Sequence, residues 1–250
     1  MRIIVLLMLS FTLLKPADIR AQQMRPGRQP GKEVMYPRGI PEKRAHITRQ
    51  QVTNYLDERL MEFDMIEEER KEALLQLSDY IREKRQHHQP VRLTFICTGN
   101  SRRSQLGQIW AATAAAYYDI EDVTTFSGGT ITTAFNKRIA RSLMRSGFVA
   151  ETILGNNSDY KVHYSEKRPP LVCFSKKYDD PSNPTSNFAA IMVCSDADER
   201  CPVVPGAEFR VAIPYIDPRL SDHSDWEDET YDERNAQIAR EILFVMANAR

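Results

Sequence analysis

Cysteine is scarce in this chain, with four in 250 residues. That excludes a small disulfide-stapled scaffold, which carries a denser set in a shorter chain. Net charge is absent too: 34 basic residues face 34 acidic ones. A balanced total provides no global field to draw the protein to nucleic acid or to an anionic membrane. Histidine is limited to five residues, and none pairs with a cysteine at zinc-ligand spacing, so no metal and no cofactor are expected. The apolar run near the start, Ile3 to Leu14, is too short to cross a bilayer, which takes about 20 residues. It follows Met1-Arg2, ends at Lys15 and precedes Ala21, so residues 1–21 read as an export signal to the periplasm or the medium. Ile19 makes the cleavage site imperfect; the alternatives are an uncleaved anchor or a buried strand.

What is present suits one globular domain with extensions: 42% of residues are hydrophobic and 27% charged. Residues 22–47 hold Pro26, Pro30, Pro37 and Pro41 and read as a linker or surface strap. Residues 48–88 read as a helical extension. Thr48 and Gln51 have capping-box spacing before Val52, Tyr55, Leu56 and Leu60; Asp64 and Glu67 offer a second start, with Ile66, Leu74, Leu77 and Ile81 on one face. These helices either pack on the core or present a charged hairpin to a partner.

Residues 89–250 alternate in pattern. Strands are expected at Leu93–Ile96, Val123–Phe126, Ala189–Val193 and Phe209–Ile213. Between and after them run helical faces: Leu106, Ile109, Trp110, Thr113 and Tyr117; Ile139, Ala140, Leu143 and Met144, closed by Gly147; and Ala236, Ala239, Ile242, Leu243 and Met246. The alternation predicts an α/β fold with a doubly wound parallel sheet. Its site should lie beyond the carboxyl ends of the strands, where Cys97, Cys194 and Asp217 all fall. Tyr160–Pro184 interrupts the pattern. Val162–Tyr164 and Leu171–Phe174 read as a hairpin around Ser165–Pro170, either a lid or a decoration.

The most informative stretch is residues 91–104, Val-Arg-Leu-Thr-Phe-Ile-Cys-Thr-Gly-Asn-Ser-Arg-Arg-Ser. A short apolar strand delivers Cys97 into a tight loop, with Arg103 six residues on at the start of a helix. Loop N–H groups and a helix N-terminus aimed at one spot favour a tetrahedral anion. The same field favours thiolate over thiol. Thr98, Gly99, Asn100, Ser101, Arg102 and Ser104 are the candidate phosphate-binding residues. Gly99 lets the backbone approach a ligand, Asn100 tolerates a left-handed turn, and Ser104 can donate to the thiolate. Arg103 offers a planar fork for two oxygens. The bland reading is a buried inert cysteine beside surface arginines.

These residues, with Gln105–Trp110, resemble the low-molecular-weight protein tyrosine phosphatases, and still more the thioredoxin-coupled arsenate reductases. The resemblance runs from about Val91 to the C-terminus through Phe126–Thr130, Phe135–Phe148, Val193–Pro202 and Ile216-Asp217-Pro218. It implies Cys97 as nucleophile, Arg103 as transition-state clamp and Asp217 as general acid. Alone, Asp217-Pro218 reads as an ordinary turn. The family often has a cysteine where this chain has Arg102. The resemblance also implies a relay in which Cys194 attacks the arseno-adduct on Cys97 and Cys201 takes over the disulfide. The alternatives for that pair are a structural bridge or two inert thiols. Cys173 has no family counterpart and reads as a core residue.

Export weighs against a relay, since thioredoxin would not normally restore the Cys194–Cys201 pair outside the cytoplasm. The expected function is therefore an exported phosphomonoesterase acting on a phosphorylated protein or small phosphoester. Arsenate reduction is the alternative, with thioredoxin as reductant only in that case. A non-catalytic oxyanion-binding pseudoenzyme is the third reading. Tyr117, Tyr118, Trp226 and Tyr231 are candidates for an aromatic slot, with helix-core packing the alternative for the first two. No nucleic-acid partner is expected, and no stable membrane insertion once the signal is removed.

Overall fold

The computed structural model describes residues 50–153, 156–200 and 203–250. The export signal, the linker, Thr48 and Cys201 lie outside the described residues. Strand β1, Val91–Cys97, is buried at every residue but Arg92, as a strand covered on both faces must be. It pairs in parallel with β2, Val123–Gly129, on one side and with β6, Phe188–Met192, on the other. β7, Ala207–Ala212, joins β6 in parallel, giving the order β2-β1-β6-β7. The chain leaves β1 through helix α3, Arg103–Tyr117, to reach β2, then returns past β1 to β6. The winding reverses at β1, so a crevice opens at its carboxyl end, where Cys97 stands opposite Gly129. This is the parallel α/β sheet that the alternating pattern predicts.

Helix α3 is buried from Ser104 through Tyr117. Its alanines and Gly107 let it press onto the sheet: a Cβ on Gly107 would stand 2.5 Å from the Phe95 ring. Helix α6, Glu227–Asn248, packs over it, and the buried Trp110 indole donates to Asn235 Oδ1 at 2.7 Å. Helices α1, Gln50–Leu60, and α2, Glu68–Gln86, pack on α6 and bury Val52, Leu56, Leu74, Leu77 and Ile81. The extension thus adds to the core. Arg70 of α2 donates to Glu241 at 2.8 Å, and the Glu241 side chain is only 3% exposed. Arg70→Met should cost about 3–5 kcal/mol, because a buried carboxylate loses its cation. Urea denaturation measures this; a loss below about 1 kcal/mol would show that Glu241 does not depend on the pair.

Three local expectations need correction, and two elements lie outside what the sequence pattern predicts. Helix α2 starts at Glu68 rather than near Asp64, which lies in a 3-10 turn, Phe63–Met65. Ile66 is extended and buried between the two, so the chain dips into the core before the helix can begin. Met144 is 47% exposed, because the short helix α4, Lys137–Arg145, buries only Ile139, Ala140, Ser142 and Leu143. The hairpin at 162–174 is real but belongs to a second, antiparallel sheet: β3, Val149–Ile153, β4, Asn156–His163, and β5, Leu171–Cys173. β3 carries no clean apolar alternation and went unread. So did α5, Ser195–Arg200, a short polar helix after Cys194. Among the described residues no helix is long and apolar enough to cross a membrane.

Candidate active site

Cys97, 3% exposed, ends β1 and opens the loop. Asn100 takes the left-handed conformation, φ 44°, and is fully buried. Its Oδ1 accepts from the Lys176 backbone N–H at 2.9 Å, which fixes the amide orientation and turns Nδ2 onto Ser104 Oγ at 2.8 Å. The Ser104 hydroxyl also lies 3.1 Å from Cys97 Sγ, within hydrogen-bond reach, with either atom able to donate.

The close neighbour of Gly99 is a side chain. A Cβ there would stand 3.1 Å from Thr133 Oγ1, and the Gly99 carbonyl accepts from Thr133 Oγ1 at 2.6 Å and from Ser175 Oγ at 2.9 Å. The tighter constraint is Gly129, where a Cβ would stand 2.5 Å from the Ile131 carbonyl and 2.7 Å from that of Thr98. Ser101 Oγ donates to the Ala134 carbonyl at 2.6 Å.

Residues 174–178 are neither lid nor decoration. The Phe174 carbonyl accepts from Gln105 Nε2 at 2.8 Å, and the Lys176 carbonyl accepts from the Gly129 N–H at 2.9 Å. With the Ser175 and Lys176 contacts, this segment braces the loop. Cys173 just before it is fully buried, and burial pushes its thiol up to about 12, so it remains an inert core residue.

Arg103 opens α3. It donates through Nη1 to the Tyr215 carbonyl at 2.8 Å and through Nη2 to Asp217 Oδ2 at 2.7 Å. Asp217 caps the 3-10 turn Pro218–Ser221, its Oδ1 accepting from the Arg219 N–H at 3.1 Å. Arg102 Nε lies 3.9 Å from the same carboxylate but donates to the Tyr231 hydroxyl at 2.8 Å. Tyr231 in turn donates to Asp222 Oδ1 at 2.7 Å, and burial pushes its hydroxyl up to about 12, so it stays neutral. Tyr231 therefore positions an arginine instead of walling an aromatic slot. Tyr117 and Tyr118 are buried in edge-to-face contact with each other, and Trp226 is 69% exposed at the start of α6.

Cys194 follows β6, 1% exposed, with Sγ 3.5 Å from Thr98 Oγ1 and 3.4 Å from the Ala197 N–H. The structure thus brings it to the edge of the loop. Among the described residues Cys97, Cys173 and Cys194 are all free.

Around the loop lies a cavity of about 600 Å³ lined by Cys97, Asp217 and five basic side chains, Arg102, Arg103, Lys137, Arg138 and Arg219. Sequence reasoning did not find Lys137, Arg138, Arg219 or Ser175. Asn136 caps α4 by accepting from the Arg138 N–H at 2.9 Å, a local signal for a helix start, but nothing local says that this end faces the cavity. The arrangement presents a thiol with a hydroxyl at its sulfur, a fork for an oxyanion and a carboxyl group across one cavity. Such a set can displace a leaving group from a tetrahedral centre.

Known proteins share parts of this sequence, although no family model matches it. An arsenate reductase of Staphylococcus xylosus is 29% identical over 111 residues, 44% of this chain and 66% of its own length. That is slightly under two thirds of the relative. An arsenate reductase of Staphylococcus aureus is 31% identical over the same shares, and arsenate reductase 1 of Staphylococcus saprophyticus is 27% identical over 53% of this chain and 82% of its own. Over these stretches the chain is similar to arsenate reductases. Among solved structures, a low-molecular-weight phosphotyrosine phosphatase from Vibrio cholerae matches with a TM-score of 0.42 and 13% identity, covering 62% of this chain and 93% of that one. An arsenate reductase from Archaeoglobus fulgidus matches at 0.40 and 15%, covering 62% and 98%. In this chain the loop and the cavity lie at the carboxyl end of the parallel sheet.

Proposed function

We propose that this chain hydrolyses phosphate monoesters, phosphotyrosine in proteins among them, through a phosphocysteine on Cys97. The observation that carries the reading is the Asp217 carboxylate, 2.7 Å from Arg103 Nη2, on the same cavity as Cys97. An incoming phosphate dianion competes for the Arg103 fork. Engaged there, Arg103 releases Asp217 towards the leaving group. Cys97 sulfur attacks phosphorus, the P–O ester bond breaks, and the leaving oxygen takes a proton from Asp217. Water then attacks the phosphocysteine and yields a proton to Asp217. The S–P bond breaks, freeing inorganic phosphate and the thiolate. No electrons change hands, so no reductant is needed.

Arsenate reduction is the second reading, supported by the approach of Cys194 to Thr98 and by the names of the relatives. It requires Cys194 to leave its buried site, a partner thiol at Cys201 and thioredoxin as external reductant. Export, proposed from residues 1–21, weighs towards hydrolysis, because an oxidising compartment holds such a pair as disulfide. Purified protein assayed side by side decides between them. The expected result is phosphotyrosine hydrolysis that survives Cys194→Ser. Thioredoxin-dependent arsenate turnover, lost in Cys194→Ser and accompanied by negligible ester hydrolysis, would overturn the proposal.

Asp217→Asn should slow alkyl phosphates, with poor leaving groups, by about 10²–10⁴-fold, and activated aryl phosphates far less. Steady-state kinetics on the two substrate classes read this out; equal slowing would reduce Asp217 to a structural cap of its turn.

A further inference from the structure

Resting on the hydrolase reading, we propose that the cavity holds a second anion site beside the oxyanion loop. The preferred substrate would then be a phosphate monoester with another anionic group close to the phosphate. Loop amides and Arg103 suffice for one oxyanion, yet Arg102, Lys137, Arg138 and Arg219 line the same cavity.

Two of these four are already engaged. Arg102 is held by Tyr231 and by Asp222, the latter at 3.4 Å. Arg138 Nε lies 2.8 Å from Glu227 and 3.6 Å from Asp222. Its guanidinium holds the Glu227 carboxyl down to about 2, so that pair persists at neutral pH.

The other two are not. Along α4, Arg138, Arg141 and Arg145 each pair with a carboxylate of α6, whereas Lys137 pairs with none among the described residues. Arg219, on the turn after Asp217, likewise has no carboxylate partner there. Lys137 and Arg219 thus come from separate elements to one cavity with uncompensated charge. The opposing carboxylates on the wall are Asp217, engaged by Arg103, and Asp196 on α5. A positive excess remains for one further anion. The placement of Lys137 runs against local helix electrostatics: α4 opens with two cations and has no acidic residue in its first turn. Local structure gives no reason for that choice, whereas an anion in the cavity does.

The test uses two phosphotyrosyl peptides of equal length, with glutamate or glutamine flanking the phosphotyrosine. The acidic peptide should show about tenfold higher kcat/KM, mostly through KM, and added salt should erode the preference. The preference should fall to about twofold or less in Lys137→Gln/Arg219→Gln, while Arg141→Gln, at an arginine paired with Glu227, keeps it. The same comparison by fluorescence anisotropy on Cys97→Ser protein reads the site without turnover. A binding preference without hydrolysis would uphold the second site and refute the hydrolase reading. Equal binding of the two peptides, or a preference unchanged in the double variant or lost equally in Arg141→Gln, would overturn the second site.

Discussion

Cys97→Ser should lower hydrolysis by several orders of magnitude, on the order of 10⁴–10⁶, the scale seen when a covalent nucleophile is removed. A hydroxyl at this position is far less ionised than a thiol, and the Ser104 hydroxyl beside it cannot make up the difference. Phosphate binding should persist near its original strength, because the loop is held by contacts that do not involve the sulfur. Asn100 rests on Lys176 N–H and Ser104, Gly99 on Thr133 and Ser175, and Ser101 on Ala134. Turnover and phosphate affinity are measured on the same preparation. Hydrolysis near the original rate would mean that another group attacks phosphorus. Loss of phosphate binding together with turnover would mean that the cysteine organises the loop.

Arg103→Lys should cost about 10²–10³ in kcat, the scale of losing a preorganised donor to a developing oxyanion. An ammonium is a point charge and cannot span two oxygens as a guanidinium does. Arg102→Ala should cost less, since Arg102 is already committed to Tyr231 and Asp222. The contrast between the neighbours is the useful measurement. Both variants should fold, because neither side chain supports the core, and circular dichroism verifies this. A larger loss at Arg102 than at Arg103 would mean that the clamp is the other arginine.

The parts of the fold that can be read from sequence are those with local causes. β1 is a continuous apolar run ending at Cys97, and α3 follows directly with its apolar face, so the strand–loop–helix unit is visible in 27 consecutive residues, Val91 to Tyr117. Asn100 in its left-handed turn is equally local. Asp217 is different. Its Asp-Pro turn is legible, but the meeting with Arg103 spans 114 residues and came only through resemblance. The brace under the loop was hidden for the same reason: Lys176 meets Asn100 across 76 residues through a backbone N–H that any residue type would supply. Tyr231 could be suspected as an aromatic near a site. Its bond to Arg102 bridges 129 residues and depends on how α6 lies across α3. β3 lacks alternation because much of its side-chain surface faces solvent, so burial leaves little mark on its sequence.

The central claim is that Cys97 sulfur forms a bond to phosphorus. Rapid acid quench of the protein during turnover of a phosphotyrosyl peptide, followed by peptide mass spectrometry, tests it directly. The expected result is a phosphoryl group on the peptide containing Cys97, accumulating more strongly in Asp217→Asn with an activated aryl substrate and absent in Cys97→Ser. Sustained hydrolysis with no phosphoryl group on Cys97 at any quench time would contradict it.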